Sequence, residues 1–366
     1  MTDKIRAEIE ARGAIPFARF MELVLYCPAF GFYEKENDTI GQHGDFYTSV
    51  SVGPLFGQLL AFQFAEWVEV EVGGQKSDVS LVEAGAHDGK LARDILHWLQ
   101  HRRPALFARM EYRIVEPSAR QRAKQEETLR AFAPRVKWAH GLRDLAKVRG
   151  VIFSNELLDA LPVNRIGWDA RRRVWFEWGV AVKDQRFAWV HLAETFPVSR
   201  FAFHAPPELL AVLPDGFTTE VCPAAENWWR EAAALLEHGK LLTLDYGFTA
   251  EEFFAPQRAN GTLRAYRQHH LGDDILANAG DQDITAHVNF TALQQAGEKL
   301  GLSTEVNLSQ AQFLTAIAQR TWRDGSDFAP WTKELTRQFQ TLTHPEHLGR
   351  AFRVLVQASP APKCNS

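Results

Sequence analysis

The chain has 366 residues, a net charge of -4, 46% hydrophobic and 23% charged residues, which is ordinary for a globular protein larger than one simple core. Its basic residues are scattered, so no nucleic-acid partner is indicated, and no stretch is apolar enough to insert into a membrane. The three cysteines share no close spacing, which predicts neither a metal site nor a disulfide framework. The N-terminus lacks a signal-peptide core, and these features together predict a cytoplasmic protein.

The first part of the chain reads as helical and the next part as alternating strands and helices. An amphipathic helix is expected from Ile15, with another over 53–70, and their apolar faces leave a homodimer open. The alternation that follows predicts a parallel α/β sheet, completed by two late strands of which one is antiparallel. Its predicted strands are 79–84, 111–116, 135–139, 150–154, 240–246, 303–308 and 352–357, and its predicted helices are 90–101, 118–132, 141–147 and 226–238.

Two stretches interrupt the alternation. The first contains an apparent β-hairpin, 174–178 with 187–190, and the second is rich in Arg, His, Asp and Gly with little periodicity. Long irregular segments inside a compact enzyme are usually lids or substrate loops. The predicted organisation is a helical N-terminal region (1–75), a Rossmann-like core (76–163 and 236–357, with a substrate loop at 249–290), an inserted hairpin region (164–235) and a flexible tail (358–366).

A glycine turn follows the first core strand, where Glu83, Gly85, Asp88 and Gly89 precede a helix. The next strand ends in a second acid, Glu116. This order is typical of an α/β domain that binds a nucleoside, because glycines allow a close approach of the backbone and the acid can accept bonds from ribose hydroxyls. The alternative is an ordinary strand-to-helix turn without a ligand.

Asp88 argues against a phosphate-bearing ligand. The dinucleotide fingerprint places pyrophosphate at the helix N-terminus, and an anion beside Asp88 would be repelled. S-adenosylmethionine fits better, since it carries a ribose, an amino-acid end and a sulfonium but no phosphate. We therefore predict S-adenosyl-L-methionine as the cofactor and S-adenosyl-L-homocysteine as the product.

Ligands of such sheets bind beyond the carboxyl ends of the strands, where further polar residues gather. After the third strand lie Gly141 and Leu142, which we predict to contact the cofactor. Before the core, Asp45 and Thr48 are candidates for binding its amino-acid end, or else they form a polar loop that caps the following helix.

Asn155 and Glu156 directly follow the fourth strand, with Asp159 three residues further on. If a helical turn begins here, Glu156 and Asp159 share a face, and two carboxylates can hold a guanidinium. We predict all three as catalytic and Asn155 also as cofactor-binding. The alternative is that Asn155 caps the turn and the acids occupy its favourable first turn.

Two later motifs are rich in hydrogen-bond donors. Arg264 and Tyr266 lie in the first and His287 in the second, and we predict that they bind substrate. Asn289 or Thr291 is expected to cap the helix over 291–300.

In these segments the chain resembles one family, the MidA-like S-adenosylmethionine-dependent methyltransferases related to a mitochondrial complex I assembly factor that methylates arginine. The similarity extends from about residue 10 to 357. It rests on GDFYTS (44–49), LVEAGAHDGKLARDIL (81–96), SNELLDALPVNR (154–165), LLTLDYGF (241–248), GTLRAYRQH (261–269) and DITAHVNFTAL (283–293).

The resemblance implies a Rossmann-like class I methyltransferase sheet, in which Gly85 and Gly89 lie against the cofactor, Glu116 holds the ribose, and Asn155 and Glu156 lie near the methyl group. It also implies a protein arginine N-methyltransferase acting on a complex I subunit. The chain departs from the family at the glycine turn, where His87 and Asp88 replace a more glycine-rich sequence. Two alternatives therefore stay open, a methyltransferase for small molecules and a cofactor-binding assembly chaperone with little turnover.

Overall fold

A computed structural model describes residues 1–35, 48–71, 79–192, 207–267, 270–272, 274–323 and 327–360. The chain divides into two compact units, each made of three separate segments. The first unit comprises Met1–Phe46, Asp159–Asn227 and Gly247–Leu293, and the second comprises Tyr47–Leu158, Trp228–Tyr246 and Gln294–Ser366. This division differs from the predicted organisation, whose boundaries stay a prediction.

The described segments alternate between strands and helices along most of the chain. The strands are β1 (Ile15–Pro16), β2 (Val79–Ala84), β3 (Met110–Val115), β4 (Val136–Ala139), β5 (Val148–Asn155), β6 (Asn164–Asp169), β7 (Val174–Lys183), β8 (Arg186–His191), β9 (Thr218–Val221), β10 (Leu236–Phe248), β11 (Arg264–Arg267), β12 (His270–Gly272), β13 (Asp283–Thr285), β14 (Val288–Asn289), β15 (Ser303–Ser309) and β16 (Phe352–Ala358). The helices are α1 (Thr2–Arg12), α2 (Phe17–Tyr26), α3 (Leu55–Glu71), α4 (Lys90–Arg102), α5 (Pro104–Arg109), α6 (Ala119–Thr128), α7 (Pro207–Leu210), α8 (Pro223–Leu235), α9 (Ala250–Phe253), α10 (Phe290–Glu298), α11 (Gln310–Thr321), α12 (Lys333–Thr343) and α13 (Leu348–Ala351).

The second unit contains a sheet in the order β15-β16-β10-β5-β2-β3-β4. Among these strands β16 runs in the direction opposite to the other six, as the sequence predicts for one late strand. Every residue of β2 is buried, which explains its continuous apolar run, because a central parallel strand is covered on both faces. The Rossmann-like α/β fold expected from the sequence is confirmed.

Helix α4 shows how the core is closed on one side of this sheet. Its buried residues, among them Leu91, Ile95 and Leu99, recur at helical spacing, and they join the same hydrophobic cluster as α3 and the strands. The helix begins directly after Gly89, so packing of α4 on the sheet fixes the position of the glycine turn.

The first unit contains two small antiparallel sheets. One has the order β1-β7-β6-β9, with β8 added to β7, and it confirms the predicted hairpin. The other has the order β12-β11-β13 and lies inside the segment predicted to be an irregular substrate loop. At the end of β10, Gly247 and Phe248 belong to this unit and pair with β14.

Three local predictions need correction. Ile15 and Pro16 form the short strand β1, so α2 begins only at Phe17. The expected helix at 141–147 is a single 3-10 turn, Leu142–Asp144, because β5 already begins at Val148. The tail is ordered at its start, since Ser359 is buried, its backbone N–H donates to the Gly239 carbonyl and its Oγ accepts from the Gly239 N–H.

Candidate cofactor and methyl-transfer site

The turn after β2 contains three residues with a left-handed backbone. Gly85 has a φ of 73°, His87 of 45° and Gly89 of 80°. A Cβ atom on Gly85 would lie 2.9 Å from the Leu157 side chain, so both the backbone angle and the space favour glycine there. His87 adopts its φ at a cost, since a left-handed residue with a Cβ is strained.

Asp88 stabilises this turn as an ionised carboxylate. Its Oδ1 accepts a hydrogen bond of 3.1 Å from the Lys90 backbone N–H, and its Oδ2 lies 2.6 Å from Lys90 Nζ. Burial alone would raise the pKa of Asp88, but the hydrogen bonds from His87 and Lys90 outweigh it and hold that pKa well below its usual range. Asp88 is therefore ionised and paired with the ammonium group of Lys90, an interaction that ties the turn to the first residue of α4.

Glu83, one residue before the end of β2, points into the protein interior. Its side chain is 2% exposed, and Oε2 accepts a hydrogen bond of 2.6 Å from the Tyr112 hydroxyl. Burial raises the pKa of Glu83 to about 7, although the bond from Tyr112 opposes this rise. A direct cofactor contact of Glu83 stays a prediction.

The carboxylate of Glu116 is held on both oxygens at the end of β3. Its Oε1 accepts from the Ser118 backbone N–H, and its Oε2 accepts from Nε2 of Gln125, each at 2.9 Å. Such bonds orient the carboxylate, and a carboxylate oxygen can accept more than one hydrogen bond. Sequence reasoning missed Gln125, because α6 is polar along almost its whole length and a glutamine there reads as a surface residue.

Asn155 and Glu156 lie where β5 ends. Asn155 Nδ2 donates to Glu156 Oε1 at 3.1 Å, which positions the carboxylate. Asn155 Oδ1 is buried without a hydrogen-bond partner, so it does not cap a helix, and a ligand N–H would satisfy it. Glu156 has a φ of 52°, and its backbone N–H donates to the Leu244 carbonyl. No helix follows, so the predicted helical turn linking Glu156 to Asp159 does not form.

The loop after β5 is fixed by Asp245, whose role the sequence did not suggest. This side chain is fully buried, and its Oδ2 accepts from the backbone N–H groups of Leu157 (3.2 Å) and Leu158 (2.8 Å). Its Oδ1 accepts from the backbone N–H of Tyr246 at 2.8 Å. Asp245 thus acts as an anchor for the loop that carries Glu156.

The other predicted cofactor residues are placed as follows. Thr48 is buried and exchanges hydrogen bonds with Ser51 in the turn before α3, whereas the Leu55 N–H at the start of α3 donates to Gln338. Asp45 lies outside the described residues. Gly141 has open space where a Cβ would lie, and Leu142 next to it is buried. Contacts of Thr48, Gly141 and Leu142 with the cofactor stay predictions.

The first unit contains Asp159 and the three residues predicted to bind substrate. Asp159 is 5% exposed, and its backbone carbonyl accepts from the Ala286 N–H. Tyr266 on β11 is paired in register with Asp283, whose Oδ1 accepts from the Tyr33 hydroxyl at 2.8 Å. Burial raises the pKa of Tyr33, and so do the nearby charge of Asp283 and, to a smaller extent, that of Asp159. Both carboxylates therefore lie near this tyrosine.

His287 lies in the same unit and is held in one orientation. Its ring stacks on Phe248 at 4.5 Å between centroids, and its Nδ1 lies 3.3 Å from the Thr262 carbonyl. Burial lowers the pKa of His287 to about 4, against the effect of the Thr262 carbonyl, with a further contribution from Arg264. The ring is therefore neutral at pH 7, with Nδ1–H donating to Thr262. Arg264 itself is exposed on β11.

Comparison with known proteins identifies the class. The family model for S-adenosyl-L-methionine-dependent methyltransferases matches residues 59–321, more than half of the chain, and the chain belongs to this family. Its cofactor is S-adenosylmethionine. The residues described above fit that group, since Glu116 presents an oriented carboxylate at the end of β3 and Asn155 Oδ1 is buried without a donor.

Several individual proteins are similar over nearly the whole length. A protein from Burkholderia thailandensis, crystallised with S-adenosyl-homocysteine, is 34% identical with a TM-score of 0.82, covering 98% of this chain and 91% of that one. The mitochondrial protein arginine methyltransferase NDUFAF7 homolog of Drosophila melanogaster is 27% identical over 97% of this chain and 84% of its own. The human mitochondrial protein arginine methyltransferase NDUFAF7 is 25% identical over 94% of this chain and 80% of its own.

The cytoplasmic localisation predicted from the sequence is wrong by this comparison, because the curated relatives are named as mitochondrial proteins. None of the helices in the described ranges combines the length and the apolar character needed to cross a bilayer.

Proposed function

We propose that this methyltransferase is a protein arginine N-methyltransferase, with Glu156 as the group that orients the acceptor guanidinium. The observation that carries this proposal is the pair at the end of β5, where the Asn155 amide holds the Glu156 carboxylate and leaves a buried oxygen free to accept an N–H. A carboxylate and an amide oxygen, both acceptors, are what a planar cation with five N–H donors requires. The names of the curated relatives support the same acceptor.

The chemistry needs little from the protein beyond alignment and charge. When bound, S-adenosylmethionine supplies a methyl group attached to a cationic sulfur. In the transfer a new N–C bond forms as the S–C bond breaks, and the attacking nitrogen must release one proton. Because arginine is protonated at ordinary pH, a carboxylate such as Glu156 aligns the nitrogen and accepts that proton.

The remaining predicted residues extend this proposal. Asp159 is our candidate for a second carboxylate, and Arg264, Tyr266 and His287 are our candidates for substrate contacts. As the target we propose a subunit of respiratory complex I, which is what the family resemblance of the sequence implies. A homodimer stays a prediction.

The experiment compares transfer and binding in the same preparation. The purified protein is incubated with methyl-labelled S-adenosylmethionine and a complex I fraction, and labelled residues are identified by mass spectrometry. We expect methylated arginine. Glu156→Gln should lower transfer by about a hundredfold, the lower end of what a positioned proton acceptor contributes. Its affinity for S-adenosylhomocysteine, measured by calorimetry, should change little.

The matched control is Glu334→Gln, the same change at an exposed position of the second unit. It should leave transfer and binding as in the parent protein. Label on any other residue type, or on small molecules alone, would overturn the arginine assignment. Stable capture of a complex I subunit without transfer, unaffected by Glu156→Gln, would favour the chaperone alternative.

A further inference from the structure

We propose that Gln125 is a positioning residue for the cofactor ribose, acting through Glu116 and the glycine turn. Gln125 lies on α6 and is fully buried, although the helix around it is polar. A buried amide on such a helix requires internal partners, because each unsatisfied polar group costs free energy. The identity of its partners is what suggests a role in cofactor binding.

Gln125 joins three elements through hydrogen bonds of equal length. Its Nε2 donates to the His87 carbonyl and to Glu116 Oε2, both at 2.9 Å. Its Oε1 accepts from the Trp138 indole N–H on β4, also at 2.9 Å. The bond from Trp138 fixes which end of the amide faces Glu116, since the indole nitrogen can only donate.

This arrangement determines where the Glu116 carboxylate points. The Ser118 N–H holds one carboxylate oxygen and Gln125 the other, so the carboxylate plane has a fixed orientation. The same Nε2 also holds the backbone carbonyl of His87 in the glycine turn. Gln125 therefore couples the acid that is to bind the ribose hydroxyls to the turn that is to lie against the rest of the nucleoside.

The inference rests on the assignment of Glu116 to the ribose, so the experiment tests both. Calorimetry gives the affinity for S-adenosylhomocysteine and for its 2′,3′-dideoxy analogue, and the ratio reports how strongly the hydroxyls are recognised. In Gln125→Leu we expect this ratio to fall about tenfold, as expected when a charged hydrogen-bond acceptor loses its alignment. A purely structural role would weaken both ligands equally and leave the ratio unchanged.

The matched control is Gln357→Leu, in another part of the second unit. Gln357 is also fully buried, its Oε1 accepts from the Trp229 indole, and its Nε2 donates to the Gln294 carbonyl and to Thr304. The substitution removes an equivalent network far along the sheet order, on β16, so stability should fall while the ratio is kept. Should Gln125→Leu fail to fold, Trp138→Phe decides, since it removes only the bond that orients the amide and should lower the ratio by about threefold.

The possible failures are distinguishable. If Glu116→Ala leaves the ratio of the two affinities unchanged, the ribose assignment is wrong and the inference falls with it. If Glu116→Ala brings this ratio close to one but Gln125→Leu or Trp138→Phe leaves it unchanged, Glu116 binds the ribose without help from Gln125. A loss in both the Glu116 and the Gln125 variants, with none in Gln357→Leu, supports the proposal.

Discussion

Two loops of the second unit, the one after β2 and the one after β5, both contain left-handed backbone but use different residues for it. Each carries the chain out of a buried parallel strand through left-handed backbone angles. After β2 two of the three left-handed residues are glycines, whereas after β5 the left-handed residue is Glu156. Each loop is held from outside by a buried polar side chain, Gln125 in the first and Asp245 in the second.

The difference lies in how each loop adopts these angles. Glycines in the β2 loop take up left-handed angles without strain, and at Gly85 there is no room for a Cβ beside Leu157. The β5 loop keeps a carboxylate at the strained position, and the anchoring bonds to Asp245 stabilise the backbone that carries it. A left-handed turn built on glycines can therefore be recognised in a sequence, and one built on a residue with a side chain cannot.

Removing the β5 anchor should have the largest effect. In Asp245→Ala the backbone N–H groups of Leu157, Leu158 and Tyr246 lose their acceptor inside the protein. We expect a loss of about 4 kcal/mol in the free energy of unfolding, measured with urea. Asp144→Ala removes the acceptor of a single N–H, that of Gly141, at an exposed site and should cost at most about 1 kcal/mol. Equal losses in the two variants would show that Asp245 is no special anchor.

The pH dependence of stability should report on Glu83, which lies in β2 itself and not in the loop that follows it. The pKa of Glu83 is raised to about 7 from 4.5, so the folded state binds its proton more tightly than the unfolded state between these values. Stability should therefore fall as the pH rises from 4.5 to 7, by about 3 kcal/mol for this group.

Glu83→Gln should lack that fall, since the amide does not titrate. The check is denaturation of both proteins at pH 5 and pH 8. Glu111→Gln provides the control: burial would raise the pKa of Glu111, but the hydrogen bonds from Arg113 and Lys137 outweigh it and lower that pKa, so Glu111 titrates below pH 4.5 and its substitution should leave the slope between pH 5 and pH 8 unchanged. An unchanged slope in Glu83→Gln would contradict the burial argument.

A methyl group added to the β2 loop should have an intermediate effect. Gly85→Ala places a Cβ at a φ of 73° and 2.9 Å from the Leu157 side chain, which should cost about 2 kcal/mol. Gly141→Ala adds the same methyl where nothing lies within 4 Å and should be nearly neutral. Thermal denaturation of both variants tests this, and a loss in Gly141→Ala as large as in Gly85→Ala would exclude the local explanation.

Relief of strain in the β5 loop should give the smallest effect and the opposite sign. Glu156→Gly is expected to stabilise the fold by about 1 kcal/mol relative to Glu156→Ala, because glycine tolerates a φ of 52° and alanine does not. Both variants should lose methyl transfer. Chemical denaturation measures the difference, and equal stabilities would mean that Glu156 carries no backbone strain.

The parallel strands of the second unit could be predicted from patterns that are visible in the sequence. Continuous apolar runs such as Val151–Phe153 mark buried parallel strands, and the glycine turn marks the first of them. Between Ala139 and Val148 the same reasoning placed a helix, because it could not tell how early β5 begins. In the first unit β11 and β13 have only four and three residues, too few for an alternating pattern to be visible.

Residues of the candidate site could be predicted where they lie at the end of a strand. Residues that support them through contacts from other parts of the fold could not. Glu116, Asn155 and Glu156 come directly after buried strands, so their position at the sheet edge could be inferred. Gln125 lies in a polar helix and Asp245 within an apolar run, and neither context indicates what the side chain will hold. Such supporting contacts join residues far apart in sequence, and only the folded structure brings them together.

The interleaving of the two units along the chain has a consequence for protein synthesis. A ribosome that has made the first 150 residues has completed neither unit, because the first still needs Gly247–Leu293 and the second needs Gln294–Ser366. Segments that are synthesised early therefore keep apolar surface exposed until the later segments are made, as in other chains rich in non-local contacts. No single cut would release either unit whole, so shortened versions from either end should aggregate rather than fold.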